Sequence, residues 1–229
     1  MTKKIVKKKK LKILPFLIVL FFFGGLFFCL YQLIQLPIRN IVVKNIKYLD
    51  DDYIIHIAGI ENYPNFFFTN LKKMEKKLEQ SVYIEKATVS KKFFHVIVLD
   101  VKENKPIFLN VNSNEFVFVD NNKVSLESCP FIFRVPRLMN YVPDDKYESF
   151  VKCMGNIQPD VLGKISNIEY QPNDLDPDRF LFYMDDGNMV YLTLTKFDTI
   201  HYYNDVLEQL EGRKGILYLD SGNHFQIRE

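Results

Sequence analysis

Tryptophan is missing from this 229-residue chain, and cysteine is scarce, with three residues. Cys29 lies in a long apolar run near the N-terminus, which leaves Cys129 and Cys153 for the remainder. Two cysteines are too few for the disulfide framework that holds small secreted domains together. One disulfide between them is compatible with an oxidising compartment, but we favour free thiols.

Histidine is also rare, and the sequence lacks the usual signatures of catalysis. The four histidines are scattered, and none stands in an H-x-x-x-H or C-x-x-C context that would suit zinc. The sequence has no G-x-S-x-G nucleophile elbow and no glycine-rich phosphate loop. We therefore predict that the protein is not an enzyme and that it uses no cofactor.

One acidic cluster is spaced like a metal site. Asp174, Asp176 and Asp178 match the first ligands of a calcium-binding loop. Such a loop also needs glycine at its sixth position and glutamate at its twelfth, where this chain has Arg179 and Asp185. The sequence favours a solvated turn here, and we predict no metal site.

Charge is unevenly distributed along the chain. There are 30 Lys and Arg against 28 Asp and Glu, and many of the lysines fall within residues 1–12. The remainder is mildly acidic, which argues against nucleic acid as a partner.

No charged side chain occurs between Ile13 and Ile34, and this long apolar stretch predicts a transmembrane helix over residues 13–36. More than about 18 apolar residues can cross the hydrocarbon core as a helix. A cleaved signal peptide is the alternative, but its apolar core is shorter and ends in a small-x-small step that is missing here. The lysines of the tail, residues 1–12, predict that the N-terminus is cytoplasmic and that the rest crosses the membrane. The tail could also contact anionic lipid.

After the span, the pattern predicts a small α+β unit over residues 38–106. Aspartates at 50–52 and Gly59 suit the two ends of a helix, and Thr69 is a candidate N-cap for a helix over 70–80. Strands are predicted over 38–46, 82–90 and 93–103, with Lys91 and Lys92 as a hairpin turn. The predicted order is strand, helix, helix, strand, strand.

Several short motifs in this region resemble those of the bacterial DivIB/FtsQ family of cell-division proteins. They are Ala58-Gly59-Ile60, Asn65-Phe66-Phe67, and the segments 83–89 and 101–107. Each motif is weakly specific, but their order directly behind a single span is more so. The resemblance implies a POTRA-like domain over residues 38–106.

The second half also resembles the family. Its pattern predicts strands, an irregular proline-containing stretch over 125–143, helices from Asp144 and over 196–211, and a last strand over 216–220. The Asp186-Gly187 pair predicts a hairpin turn. The resemblance implies a second mixed α+β domain with an antiparallel sheet over 107–220, followed by a short tail over 221–229.

The resemblance further implies a non-enzymatic scaffold of the division machinery, or divisome, located at the septum. Such a protein would bind FtsL-like and DivIC/FtsB-like partners and so control the septal peptidoglycan synthase indirectly. In the family, a partner adds a strand beside the last strand of the second domain. Carried onto this chain, the predicted edge is Ile216, Leu217, Tyr218, Leu219, Asp220, Ser221 and Gly222. Relatives often continue with Leu-Arg after the aspartate, whereas this chain has Ser221-Gly222.

Two other functions are compatible with a single span. A sensor or ligand-binding ectodomain would explain the anchor but not the two-domain resemblance. A membrane-anchored enzyme of wall metabolism would need a nucleophile or metal constellation that the sequence does not show. For the scaffold, we expect charged residues at Leu217 and Leu219 to abolish partner binding while leaving the domain folded.

Overall fold

The computed structural model describes residues 13–93, 95–210 and 212–228. The predicted basic tail, residues 1–12, lies outside the described residues. The chain divides into two compact units. Unit 1 comprises residues 1–45, 50–81 and 86–101, and unit 2 comprises residues 46–49, 82–85 and 102–229.

The apolar run forms one uninterrupted helix, α1, over Ile13–Ile34. Its 22 residues correspond to a length of about 33 Å, close to the thickness of a hydrocarbon core. The stretch Leu14–Ile34 has a mean hydropathy of 2.4, and none of it is buried against the protein. An uncharged, predominantly apolar and exposed helix of this length is suited to lipid, so the prediction of a membrane-spanning helix is supported.

The elements after the span follow the predicted order of strand, two helices and two strands. They are β1 (Asn40–Lys44), α2 (Asp51–Ala58), α3 (Leu71–Leu78), β2 (Ile84–Lys92) and β3 (Val96–Glu103). The three strands form a sheet in the order β1-β3-β2, with β1 parallel to β3. The sheet therefore has β1 and β2 as its outer strands.

Two local details differ from the prediction. Asn70, not Thr69, caps α3, because the Asn70 side chain accepts a hydrogen bond from the Lys73 amide at 3.1 Å. The Thr69 hydroxyl instead donates to the carbonyl of Asn65. The hairpin turn lies after Lys92, where His95 adopts a left-handed φ of 61°.

The second sheet has nine strands in the order β12-β11-β10-β9-β8-β7-β4-β5-β6. Their bounds are β4 Pro106–Asn110, β5 Glu115–Phe118, β6 Lys123–Ser125, β7 Arg137–Leu138, β8 Ile165–Tyr170, β9 Arg179–Met184, β10 Met189–Thr193, β11 Gly215–Tyr218 and β12 His224–Ile227. The sheet is mixed rather than purely antiparallel, because β10–β11, β4–β7 and β7–β8 are parallel pairs. The α+β fold class is confirmed.

Helices pack against this sheet, and the hydrophobic core lies between them and the strands. They are α4 (Asp144–Gly155), α5 (Pro159–Leu162), a 3-10 segment (Leu194–Tyr202) and α6 (Tyr203–Gln209). The helix predicted over 196–211 thus begins as a 3-10 helix and becomes α-helical at Tyr203. Phe150 of α4 stacks on Phe180 of β9 with ring centroids 4.7 Å apart, and both rings are fully buried.

The Glu103 side chain connects the end of β3 to residues 47–49. One of its carboxylate oxygens accepts hydrogen bonds from the amides of Lys47, Tyr48 and Leu49, at 2.8 to 2.9 Å. The domain limits 38–106 and 107–220 remain predictions. The segment 221–229, predicted as a tail, contains strand β12.

Candidate functional site at the sheet edge

The outer strand at the C-terminal end of the large sheet is β12, not the stretch predicted from the sequence. β12 pairs antiparallel with β11, and Tyr218 lies opposite His224. The intervening turn reverses the chain with the help of Asn223, whose φ is 52°. Residues 216–222, the predicted edge, therefore form an inner strand and the turn after it. The four residues of β12 pair with β11 and take the outer position in the sheet.

The structure places the seven predicted residues in different environments. Ile216, Leu217 and Tyr218 belong to β11, and the other four lead into the turn. Leu217 and Leu219 are only 3% and 4% exposed. Charged substitutions there would place a charge in the core, so the expectation that the domain would stay folded is wrong.

The free edge of β12 presents backbone groups of two residues. The Arg228 amide donates to the Lys214 carbonyl at 2.9 Å. In an antiparallel pair, residues facing the neighbour alternate with residues facing away. The N–H and C=O groups of Phe225 and Ile227 therefore point away from β11. The Ile227 side chain is also half exposed.

A glycine allows β12 to approach β11 closely. A Cβ atom at Gly215 would lie 2.1 Å from the Gln226 carbonyl oxygen and 2.7 Å from the Phe225 ring. Neither distance is sterically possible, so any side chain at position 215 would push β12 outward. Glycine at position 215 therefore allows β12 to pair closely with β11.

Asp220 anchors the turn between the two strands. Its side chain is 7% exposed and accepts a hydrogen bond from Arg179 Nε at 2.7 Å. The Asp220 carbonyl accepts from Lys196 Nζ at 3.0 Å. These two contacts hold Asp220 in place at the end of β11, and they therefore determine where β12 begins.

A ladder of flat side chains crosses the last four strands. The Arg179 guanidinium lies 3.5 Å from the centroid of the Tyr191 ring. Tyr191 stacks on Tyr218 at 5.3 Å, and Tyr218 stacks on His224 at 4.6 Å. The Tyr218 hydroxyl also donates to Gln226 Oε1 at 3.2 Å. These side-chain contacts hold β12 against β11. They also place a row of stacked side chains, ending in the His224 ring, at the edge of the sheet.

A buried polar network sets the start of β11. Asn188 is 1% exposed; its Oδ1 accepts from the Gly215 amide at 2.9 Å, and its Nδ2 donates to the Tyr203 hydroxyl. The Tyr203 hydroxyl donates to Asp186 Oδ2 at 2.7 Å. Burial and then this hydrogen bond raise the pKa of Tyr203 above its usual value. Burial alone would raise the pKa of Asp186, but hydrogen bonds from the Asn188 amide and Tyr203 lower it overall.

In the acidic cluster Asp174, Asp176 and Asp178, the last two side chains have a structural role. Asp176 Oδ1 accepts from the Asp178 amide at 2.9 Å and from the Thr193 hydroxyl at 3.1 Å. Asp178 pairs with Lys146. Within the described residues, no three His, Cys, Asp or Glu side chains are grouped so that they could hold a metal ion.

β12 is not among the predicted strands, although the sequence contains a weak signal for it. Gly222-Asn223 is a turn pair, and His224-Phe225-Gln226-Ile227 alternates polar and apolar residues. A run of four residues is too short to outweigh the prediction of a tail over 221–229 from the sequence alone.

Comparison with known proteins agrees with these features. Residues 36–104 match the family model of the POTRA domain, FtsQ-type. Cell division protein DivIB of Listeria monocytogenes is 26% identical over 230 residues, covering 98% of this chain and 85% of the relative. DivIB of Bacillus subtilis is 26% identical over 224 residues, covering 96% and 85%. DivIB of Geobacillus kaustophilus is 26% identical over 195 residues, covering 82% and 74%.

A solved structure, the major extracytoplasmic domain of DivIB from Geobacillus stearothermophilus, matches 48% of this chain and 96% of its own length. The sequence identity is 21% and the TM-score is 0.38. The relatives are named for cell division and not for an enzymatic activity. The POTRA match and the similarity along most of the sequence agree: residues 36–104 match an FtsQ-type POTRA domain, and the chain is similar along most of its length to bacterial cell-division proteins named DivIB.

Proposed function

We propose that this protein is a non-enzymatic scaffold of the divisome. Its span would hold the folded units on the extracytoplasmic side of the membrane at the septum. There it would bind FtsL-like and DivIC/FtsB-like partners, each a single-span protein, and through them control septal peptidoglycan synthesis. Similarity to cell-division proteins named DivIB supports the division role, and the lysines of residues 1–12 support the orientation.

The free edge of β12 is the observation that carries this proposal. An outer strand offers unpaired N–H and C=O groups to a further strand, an arrangement called β-augmentation. Main-chain hydrogen bonds to Phe225 and Ile227 would supply affinity. Side chains on the two faces, including the ring of His224 at the end of the ladder, would supply specificity.

The role of residues 216–222 changes in this proposal. They would support the binding strand rather than contact the partner through their own backbone. Tyr218 would act through its stacking on His224, and Asp220 through the ion pair that fixes the turn.

A proline at position 227 tests the proposal. Full-length protein is co-expressed with the FtsL-like and DivIC-like proteins of its own organism and purified in detergent. Ile227→Pro removes an outward N–H but no hydrogen bond to β11, and proline is tolerated on edge strands. The partner strand would lose one main-chain hydrogen bond, and the proline ring would disturb its pairing with β12. The free energy of binding should therefore weaken by about 1.5 kcal/mol or more, which is a tenfold or larger loss of affinity.

Ile227→Thr is the matched control, because it keeps the N–H and the β-branched shape. It should recover the partners at close to the wild-type level. If Ile227→Pro also recovers them fully while its unfolding midpoint is unchanged, the partner does not add a strand to β12.

A further inference from the structure

The end of the span is hydrogen-bonded to a loop of unit 1. Asn65 Nδ2 donates to the carbonyl of Ile34, the last residue of α1, at 2.8 Å. The Phe66 amide donates to the Leu36 carbonyl at 3.1 Å, and the Ile38 amide donates to the Pro64 carbonyl at 3.0 Å. The loop is therefore held within two or three residues of the point where the helix ends.

The hairpin between β2 and β3 meets the same point. The Arg39 amide donates to the His95 carbonyl at 2.8 Å. The His95 ring packs against Phe66 and Phe67, with centroids 4.9 and 5.7 Å apart. Lys91 Nζ donates to the Phe67 carbonyl at 3.0 Å. The span end, the loop and the hairpin thus converge within unit 1.

Large aromatic side chains are exposed at this convergence. Phe93 is 90% exposed and Phe68 is 76% exposed, while Phe67 and Tyr63 are about half exposed. We call these four residues the span-end patch. Single exposed apolar residues are ordinary on a protein surface, but a local group of them marks an interaction site.

The position of the patch indicates what covers it. A helix of 22 residues matches the hydrocarbon core, so its end, Ile34, lies close to the boundary between acyl chains and headgroups. Aromatic side chains concentrate at this boundary. The nearby Lys92 is exposed, and its positive charge suits contact with anionic headgroups. The bonds at Asn65 and Phe66 keep the patch at this depth.

We propose that the span-end patch inserts into the headgroup region of the leaflet at which α1 ends. Unit 1 then has two attachments to the bilayer, the span itself and the patch, and its orientation relative to the membrane is fixed. The span alone would attach unit 1 to the bilayer at one point. This proposal requires the span but no particular divisome partner.

The lack of tryptophan makes a direct test possible, since each introduced tryptophan is the only one in the chain. Phe93→Trp and Phe68→Trp are made separately in the full chain. Each is reconstituted at low protein-to-lipid ratio into nanodiscs that contain anionic lipid, with or without brominated acyl chains. Leu175→Trp, a residue of unit 2 that is 95% exposed, is the control.

We expect both patch variants to fluoresce at shorter wavelength than the control and to lose most of their emission with brominated lipid. Emission and quenching equal to those of Leu175→Trp in both variants would overturn the proposal. A blue shift that brominated lipid does not quench, and that grows with protein density, would also overturn it, because a second copy of the chain would then cover the patch.

Discussion

Two outer strands, β2 of the small sheet and β12 of the large sheet, expose their edges in opposite ways. On β2, the Ala87 amide donates to Glu79 Oε1 at 3.2 Å, and the Val89 amide donates to Glu75 Oε1 at 2.8 Å. Both glutamates project from α3 and its C-terminal end. On β12, no described residue hydrogen-bonds to the outward amides of Phe225 and Ile227.

The difference shows that one fold can close one edge and leave another available. An uncovered strand edge invites pairing with other chains, and proteins commonly block it with charged side chains. Glu75 and Glu79 do this by occupying the donors that another strand would need. We infer that β12 is open because pairing there is useful to the protein, which agrees with the proposed role.

Among the substitutions that would disturb the open edge of β12, removal of the Asp220 side chain should have the largest effect on stability and partner binding. Asp220→Ala leaves the largely buried Arg179 guanidinium without its partner. Breaking one partner of a buried ion pair costs about 3 kcal/mol. We expect the free energy of unfolding, measured with denaturant, to fall by about this amount and partner binding to fall with it.

Ser221→Ala is the control for that variant. Ser221 is exposed and contributes one hydroxyl bond to Asp220 Oδ1. Its loss should change stability by less than about 1 kcal/mol. Equal effects of the two substitutions would show that the ion pair does not hold the turn.

Gly215→Ala should have the next largest effect, because its Cβ would overlap the Gln226 carbonyl. Overpacking of this kind costs about 1 to 3 kcal/mol, and here it displaces β12 from β11. If the partner adds to β12, affinity measured by titration should fall. If affinity rises instead, the partner replaces β12 on β11, and the open edge is not the docking site. Gly222→Ala, whose Cβ would meet only His224 Nδ1 at an ordinary contact distance of 3.7 Å, controls for loss of a nearby glycine.

Opening the β2 edge should have the smallest effect. Glu75→Ala combined with Glu79→Ala removes both acceptors, but water can reach an outer strand, so we expect a loss of about 1 kcal/mol. The variant should also self-associate at high concentration in sedimentation measurements, since β2 becomes available for pairing.

The Glu75→Gln, Glu79→Gln variant keeps acceptor oxygens and should stay monomeric. Self-association equal to wild type in the alanine variant would show that these carboxylates do not protect the edge.

Much of the architecture follows from local sequence patterns. The apolar run predicts α1, and the aspartates with Gly59 predict α2, whose C-cap adopts the expected left-handed φ of 71°. The Asp186-Gly187 pair predicts the β9–β10 hairpin, which the structure contains. In each case, the residues that determine the element lie within it.

The edges could not be predicted in the same way. Glu75 lies 14 residues from Val89, and nothing in its helix shows that it accepts from a strand. The position of β12 depends on Gly215 and on Asn188, which are 27 residues apart in the sequence and joined by one hydrogen bond. These contacts exist only after the chain has folded, so short-range patterns do not reveal them.

Hydrogen exchange at single backbone amides, followed in the full-length protein with and without its partners, tests the central claim most directly. In the free protein, the Ala87 and Val89 amides should already be protected by their glutamates, whereas those of Phe225 and Ile227 should exchange rapidly. Addition of the partners should slow exchange at Phe225 and Ile227 and leave Ala87 and Val89 unchanged. Saturating partner binding with no slowing at Phe225 and Ile227 would contradict the account.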